Sequence, residues 1–231
     1  MINIKHGNIF TTECQTIVNT INCIGVMGAG IAYEFRLRHP EMFIEYKNYC
    51  NQGLIDIGKL WIYNVPEPTS YKKILNFPTK RHWKHPSKIE YLELGLQKFL
   101  DTYKLKNITS IAFPLLGADK GGISKNISLN IMQQYLNKID IEVEIWHFDH
   151  TSKDDLFDDF KSKFLTLDET IIKEQSKLRI DVIRKIKNAL YNNDINSLSG
   201  LLSVKGIGNM SLEKSFNFIK SFQKNNHNLF T

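Results

Sequence analysis

The stretch VNTINCIGVMGAGIA, residues 18–32, decides the fold of this chain. Apolar residues lead into two asparagines three positions apart, Asn19 and Asn22, and three glycines follow before a predicted helix that begins near Ile31. The pattern predicts a strand, a glycine-rich loop and a helix N-terminus. Glycines let the backbone approach a ligand closely, and the N–H groups of a helix start favour a diphosphate. We therefore interpret the stretch as a phosphate-binding loop.

The spacing of these glycines, G-x-x-G-x-G over residues 25–30, differs from the common nucleotide-binding signatures. The dinucleotide fingerprint requires G-x-G-x-x-G, and a P-loop requires G-K-S or G-K-T after its glycines. We therefore expect neither a Rossmann-type site nor a P-loop. A glycine-rich loop is common in proteins, so the interpretation needs support from other segments.

Composition limits the class of protein. The 231 residues are 42% hydrophobic and carry a net charge of +6, which suits a globular chain with one large and one small domain. The positive charge permits a polyanionic partner without requiring one. The cysteines Cys14, Cys23 and Cys50 lack metal-ligand spacing, and no apolar run reaches the ~18 residues of a membrane span. We expect a soluble, cytoplasmic protein with reduced thiols, no metal and no membrane partner.

Strand and helix patterns alternate through residues 1–150. Strands are predicted at 2–5, 14–21, 59–65, 73–79, 108–116 and 141–148, and helices at 30–38, 40–51, 87–105 and 124–138. A second glycine loop, GADKGG at 117–122, follows a predicted strand as the first one does. The alternation predicts an α/β domain with a mixed central sheet, helices on both faces, and both glycine loops at one edge.

Beyond residue 150 only helical patterns remain, which predicts a small all-α domain over residues 151–231. Helices are predicted at 154–165, 168–190, 194–203 and 211–223. Residues 201–223 resemble a helix-hairpin-helix motif, in which backbone N–H groups of a tight turn contact a nucleic-acid phosphate. Gly206 and Gly208 would form the turn and Lys205 would add charge. An ordinary helical hairpin with a glycine connection is the alternative.

Four segments together resemble the macrodomain family. They read VNTxN at 18–22, GVMGAGIA at 25–32, NFPTKRHW at 76–83 and PLLGxxxGG at 114–122. Within that family they are most similar to the branch of DarG-like DNA ADP-ribosyl glycohydrolases and of the human terminal ADP-ribose glycohydrolase. The resemblance covers residues 1–149. It implies a three-layer α/β macrodomain that binds ADP-ribose between two glycine-bearing loops and needs no cofactor.

The resemblance also implies which residues bind ADP-ribose. Asn22 is expected to hydrogen-bond the distal ribose. The carboxylate that usually holds the adenine amino group aligns with Gln15, whose carbonyl can accept the same hydrogen bond. Phe148 is either a ring that stacks on adenine or an aromatic at the edge of the core. Further contacts with the ligand are expected from Gly28, Ala29, Gly30 and Ile31, and from Gly117, Ala118, Lys120, Gly121 and Gly122.

Catalysis is assigned to Lys80, because the matching lysine is catalytic in this branch of the family. A desolvated lysine beside the anomeric carbon can lose its proton and attack, forming a lysyl–sugar adduct that water later releases. Alternatively, Lys80 stays charged and stabilises the departing group. The aspartate that resolves the adduct in the human enzyme aligns with Gly121. Asp119 is therefore either a substitute general base or a loop carboxylate that caps the next helix.

The residues that follow Lys80 interleave charge with aromatic rings. His82 and Trp83 can stack on an unpaired base while Arg81 and Lys84 hold phosphates, the usual way in which proteins bind single strands. The alternative is that Trp83 packs beneath the loop and the charges are solvated.

These features favour a hydrolase that removes ADP-ribose from DNA bases in single-stranded DNA and reverses a DarT-type modification. A DarT-like toxin would be a second partner. Two other functions stay open from sequence. One is hydrolysis of ADP-ribosyl esters on protein carboxylates, and the other is a non-catalytic ADP-ribose-binding module.

Overall fold

The computed structural model describes residues 1–66, 70–149, 152, 154–198 and 200–227. The chain divides into two compact units, Met1–Asp149 and His150–Thr231. None of the helices in these described ranges is long and apolar enough to span a lipid bilayer.

The first unit is built around one six-stranded sheet. Its strands are β1 (Ile2–Gly7), β2 (Thr16–Asn22), β3 (Trp61–Asn64), β4 (Lys73–Lys80), β5 (Ser110–Pro114) and β6 (Glu142–Phe148). They lie in the order β1-β6-β5-β2-β4-β3, and every neighbouring pair is parallel except the antiparallel pair of β3 and β4. The sheet is therefore mixed, as predicted.

Four α-helices accompany the sheet, and they cover both faces. They are α1 (Gly30–Arg38), α2 (Pro40–Asn51), α3 (Ile89–Thr102) and α4 (Lys125–Leu136). Successive residues of a strand point to opposite faces, so β2 contributes Val18 to one core and Ile17 to the other. The core with Val18 contains Leu96 of α3 and Met132 of α4, and the core with Ile17 contains Phe35 of α1. The predicted three-layer α/β architecture is confirmed.

Local sequence explains how these helices begin and how closely they pack. α2 begins at Pro40, whose missing N–H would be unpaired in a first turn in any case. α4 begins after Ser124, whose hydroxyl accepts a hydrogen bond from the backbone N–H of Ile127. Gly95 brings α3 onto the sheet, because a Cβ there would lie 2.2 Å from the ring of Phe77.

The second unit is helical. Its α-helices are α5 (Asp155–Thr166), α6 (Glu169–Ser176), α7 (Ile180–Leu190) and α8 (Asn209–His227). Apolar side chains from all four of them are buried, including Phe160, Ile172, Ile183 and Phe216. This segment therefore has its own hydrophobic core.

Two of the helices predicted in the second unit are wrong. The single helix predicted at 168–190 is two helices, because Lys177 has a left-handed backbone, with φ of 59°, and ends α6. The helix predicted at 194–203 is replaced by turns and a 3-10 helix at Gly200–Ser203. A short run of apolar residues fits one 3-10 turn as well as it fits the end of an α-helix.

Candidate active site

All five parallel strands end at one edge of the sheet. The carboxyl ends of β1, β6, β5, β2 and β4 meet there, and each is followed by a loop. Open α/β sheets bind ligands at such edges. Both glycine loops and the segment that begins at Arg81 start at this edge, so the structure brings together the three segments that the sequence singled out.

The first glycine loop is held by the side chain of Asn22. Its Oδ1 accepts hydrogen bonds from the backbone N–H groups of Ile24 and Val26, at 3.1 and 3.3 Å, and its Nδ2 donates to the carbonyl oxygen of Val26. The buried hydroxyl of Tyr46 donates to the carbonyl oxygen of Asn22 at 2.7 Å. Asn22 is thus the internal support of the loop. One N–H of its amide group is used for this support.

The loop ends in the N-terminus of α1. Ala29, the N-cap residue, has an extended backbone and supplies no side-chain hydrogen bond to the first turn. The first-turn N–H groups of an α-helix have no partner within the helix, and they attract anions. Gly30 has a φ of +58°, which favours glycine, and Gly28 and Ile31 are partly exposed. The expected diphosphate contacts are therefore accessible.

The second glycine loop is fixed by close packing. Gly117 has a φ of +67°, and a Cβ there would lie 2.9 Å from the Cδ1 atom of Ile123. A Cβ at Gly121 would lie 2.8 Å from the Oγ of Ser87, whose N–H donates to the carbonyl oxygen of Gly121 at 2.8 Å. Gly122 has a φ of +83°. The loop has this shape only because these positions lack side chains.

Lys80 connects the end of β4 to this second loop. It is the partner of Asn22 in the register between β2 and β4, and its Nζ donates a hydrogen bond to the carbonyl oxygen of Lys120. Partial burial, and secondarily the charge of Lys120, lower the pKa of the Lys80 amine below its usual range. A lower pKa leaves more of the amine neutral near neutral pH, which is the form able to attack an electrophile.

Asp119 does not cap the following helix. Ser124 occupies the cap position of α4, so that alternative is wrong. The Asp119 carboxylate is exposed and lies 4.0 Å from the Nζ of Lys125. Its φ of 45° is in the left-handed region, where a residue other than glycine stores backbone strain of the order of 1 kcal/mol. Such strain is common where a loop presents a side chain for function.

Gln15 lies away from this edge, and its assignment to adenine is corrected. Gln15 precedes β2, whereas Asn22 ends it, and seven residues of strand separate them by roughly 23 Å. Its Oε1 accepts a hydrogen bond from the N–H of Thr109, and its own N–H donates to the Oγ of Ser110 where β5 begins. Gln15 therefore lies at the opposite edge of the sheet, where it links the amino ends of β2 and β5.

Asn8 is a buried polar residue at this edge that the sequence interpretation did not name. It directly follows β1, whose last residue, Gly7, is in register with Phe148 at the end of β6. The Asn8 side chain is buried, and its Oδ1 accepts a hydrogen bond from the N–H of Phe10 at 3.1 Å. Phe148 is 48% exposed. The buried amide of Asn8 and the exposed ring of Phe148 are thus neighbours at the edge where the parallel strands end, which we call the functional edge. Asn8 and Phe148 are 140 positions apart in the sequence, and the pairing of β1 with β6 brings them together. No local sequence pattern indicated that pairing.

A cluster of rings follows Lys80. His82 and Trp83 are stacked, with ring centroids 5.8 Å apart and planes at 22°, and His85 lies 5.1 Å from His82. The Nζ of Lys84 is 5.1 Å from the Trp83 ring centroid, within cation–π range. We call these four residues the ring cluster. Trp83 is 49% exposed, so it does not pack beneath the loop.

Arg81 precedes the ring cluster and forms an ion pair. Its Nη1 lies 2.7 Å from the Oδ1 of Asp56, and both side chains are exposed. Exposed ion pairs contribute about 0–1 kcal/mol, so a phosphate can compete for this guanidinium. The Arg81 carbonyl oxygen accepts a hydrogen bond from the N–H of Cys23. This bond ties the segment to the first glycine loop.

In the second unit, the predicted glycine turn precedes a long helix. Gly206 has a φ of +95° and lies against the side chain of Lys185, and a Cβ at Gly208 would meet open space. Lys205 is exposed, and α8 begins immediately after Gly208. A 3-10 turn rather than an α-helix leads into this turn. The helix-hairpin-helix interpretation therefore stays a prediction, with a shorter first arm.

Comparison with known proteins identifies the family. The Macro domain family matches residues 18–132. The macrodomain of Mycobacterium tuberculosis DarG superposes with a TM-score of 0.62 at 35% identity, covering 64% of this chain and 99% of that one. This chain belongs to the macrodomain family.

Other relatives of this macrodomain are longer proteins. A DNA ADP-ribosyl glycohydrolase of Mycobacterium tuberculosis is 36% identical over 147 residues, which are 63% of this chain and 42% of the relative. A structure of Thermosipho africanus DarTG in complex with ADP-ribose matches with a TM-score of 0.59 at 32% identity, over 62% of this chain and 41% of that one. The chain thus spans well under half the length of these relatives. Within its described part, no group of three or more His, Cys, Asp or Glu side chains is arranged to hold a metal ion.

Proposed function

We propose that this macrodomain hydrolyses the bond between ADP-ribose and a base of single-stranded DNA. The observation that carries the proposal is the position of Lys80. Its amine has a lowered pKa and contacts the second glycine loop, next in register to Asn22. The names of the relatives, DNA ADP-ribosyl glycohydrolases with 34–36% identity, support the substrate class.

ADP-ribose would lie along the functional edge between the two glycine loops. The diphosphate would receive N–H groups from the start of α1, and residues 117–122 would cover its other side. The distal ribose would lie at Asn22 and Lys80. Adenine would reach the other end of the edge, where Phe148 offers a ring face and Asn8 replaces Gln15 as the amide nearby.

The reaction would break the N-glycosidic bond at the anomeric carbon of the distal ribose. In one course, the neutral amine of Lys80 attacks that carbon, the base leaves with the bonding electron pair, and water later releases the sugar. In the other course, Lys80 stays protonated and donates to the departing base while water attacks. Asp119 would activate the water in both. Trapping distinguishes them, because only the first course leaves ADP-ribose mass on Lys80 after reductive quenching.

The ring cluster supports nucleic acid as the carrier of the modification. Trp83 presents an exposed face next to the reactive end of the site, and Lys84 lies over that ring. Stacking of a base on an aromatic side chain contributes about 1–3 kcal/mol and tolerates any base. An extruded base beside the modified one would be held in this way.

Paired substrates test the proposal. We expect release of ADP-ribose from modified single-stranded DNA and much slower release from a protein modified on glutamate. Lys80→Ala should abolish release yet retain binding of free ADP-ribose. Lys72→Ala, which removes an exposed positive charge just before the start of β4, is the control. Faster release from the protein than from DNA would mean that the substrate is ADP-ribose esterified to protein carboxylates rather than ADP-ribose on DNA. No release from either substrate, with ADP-ribose still bound, would leave a binding module.

A DarT-like transferase is the proposed second partner. One relative is a DNA ADP-ribosyl transferase fused to a glycohydrolase, 31% identical over 160 residues. The proposed turn at Gly206–Gly208 would contact DNA rather than the transferase. Co-purification of a tagged chain truncated after Asp149, compared with the full chain, assigns any transferase binding to one unit. Retention by the full chain alone would locate it in the second unit.

A further inference from the structure

Two histidines are stacked on each other at the functional edge, outside the proposed ADP-ribose site between the two glycine loops. His6 of β1 and His147 of β6 are in register, and their ring centroids are 4.8 Å apart with planes at 23°. His6 is exposed and His147 is partly exposed. Both rings lie on the sheet face that α4 covers, because His147 alternates with Phe148 and shares its face with Ile145.

Charged groups of both signs lie around this pair. Burial lowers the pKa of His147, and His6 and then Lys125, in the first turn of α4, lower it further. Among the described residues, carboxylates near this pair include Asp119, exposed and 4.0 Å from the Nζ of Lys125, and Asp149, which follows His147 by two residues and whose backbone N–H donates to the carbonyl oxygen of Gly7. Lys5 and Glu144 face the opposite side of the sheet, where Glu144 is bound to Trp146 and Thr12. Two imidazolium ions in contact repel each other, and an anion bound beside both rings would offset that repulsion.

The histidine pair continues a line of basic groups along the edge. The line starts at Arg81 and Lys84 after β4, passes Lys120 in the second glycine loop and Lys125 of α4, and ends at the pair. Four strand spacings separate β4 from β1, or about 19 Å. A single small anion would occupy one point of this line. A polymer with regularly spaced phosphates matches its length and repeated charge.

We propose that His6, His147 and Lys125 form a phosphate-binding site for the substrate DNA strand, at the far end of the edge from the ring cluster. This inference rests on the proposed function, since the strand must already be anchored at the reactive end. The two anchors would hold the strand across the second glycine loop. The site would also make DNA binding depend on pH.

The direction of the pH effect follows from histidine chemistry. A phosphate bound at the exposed edges of the two rings favours their protonated forms and raises the pKa of His147, so binding takes up protons. Affinity is therefore highest at low pH and is lost as the pH rises and the rings lose their protons. A rise of one unit in one ring corresponds to about a tenfold change in affinity.

The test measures binding of an unmodified, mixed-sequence single-stranded oligonucleotide to the full chain by fluorescence anisotropy, at about pH 6 and about pH 8. The chain without substitutions should bind the oligonucleotide with about tenfold higher affinity at the lower pH. The double variant His6→Gln/His147→Gln should lose most of that ratio. His82 and His85 remain in this variant, so any residual ratio belongs to the ring cluster.

A salt titration provides the second arm, and it stands if the double variant fails to fold. Lys125→Gln should reduce the slope of log affinity against log salt by roughly 0.7, the value for one phosphate contact on a single strand. Lys138→Gln, an exposed lysine just after the end of α4, should leave the slope unchanged. An unchanged pH ratio in a folded double variant, or equal slopes for the two lysine variants, would overturn the proposal. Calorimetry with free ADP-ribose tests the proposed site between the glycine loops separately. Absence of ADP-ribose binding would therefore count against the proposed function alone.

Discussion

The two glycine loops lie at the same edge of the sheet, yet they keep their shapes by different means. The first is supported from inside by polar groups, with Asn22 and Tyr46 binding its backbone. The second is shaped by contact, since Gly117 and Gly121 leave no space for a Cβ. Hydrogen bonds can be removed one at a time, whereas a steric fit fails when one atom is added. Substitutions should therefore affect the two loops differently.

The largest effect should be that of pH on turnover, because partial burial, and secondarily the charge of Lys120, lower the pKa of the Lys80 amine. If the neutral amine attacks, kcat/KM should rise about tenfold per pH unit and level off at the depressed pKa of Lys80, below the 10.5 of an ordinary lysine. A pH–rate profile on modified single-stranded DNA measures this. A rate that falls as Lys80 loses its proton would favour electrostatic stabilisation of the departing base.

The next effect is steric. Gly117→Ala should destabilise the chain by about 2–3 kcal/mol and abolish ADP-ribose binding, because the new Cβ meets Ile123 at 2.9 Å in a strained backbone. Gly53→Ala is the matched control, since Gly53 has nearly the same φ, +69°, but no atom within 4 Å of the added Cβ. Chemical denaturation gives both values. Equal losses at the two positions would show that backbone strain alone shapes the second loop.

A smaller effect is expected in the first loop. Tyr46→Phe removes the hydroxyl that donates to Asn22 and should cost about 1–1.5 kcal/mol of unfolding free energy. ADP-ribose affinity should fall several-fold, because Asn22 is then less firmly held. Tyr49→Phe, on the same helix, is the control. If calorimetry finds undiminished ADP-ribose affinity in Tyr46→Phe, the tyrosine hydroxyl does not support the loop.

The smallest change should be a gain. Ser87 is buried against the second loop, and its Oγ makes no hydrogen bond to any residue in the described part of the chain. Ser87→Ala should therefore stabilise the chain by up to about 1 kcal/mol, as a buried hydroxyl without a partner is unfavourable. The backbone bond from residue 87 to Gly121 is unaffected. A loss of stability measured by thermal unfolding would mean that the hydroxyl has a partner in solution.

Sequence alone predicted the parts of this molecule that depend on local pattern. Both loops, the strands before them and Lys80 lie in contiguous motifs, and the three-layer fold followed from their alternation. Gln15 was misplaced because its alignment counted back from β2, whereas the pairing of β1 with β6 brings Asn8 to the edge. The end of α6 was missed because Lys177, not a glycine, has the left-handed backbone there.

The histidine pair shows the same limit. His6 and His147 are separated by 140 residues, and nothing local in either strand indicates that the rings stack. Register between distant strands fixes such contacts, and it depends on the whole sheet. Motifs therefore pointed to the end of the edge that holds Lys80, whereas only the structure revealed the histidine pair at the other end.

A structure of the complex with ADP-ribose tests the central claim most directly. The account predicts that the ligand lies between the two glycine loops and that the Nζ of Lys80 leaves the carbonyl oxygen of Lys120. The Nζ should then lie within about 3.5 Å of the anomeric carbon, the separation of a near-attack geometry. A bound ligand with the Lys80 amine directed into solvent, or with its distal ribose away from Asn22, would contradict it.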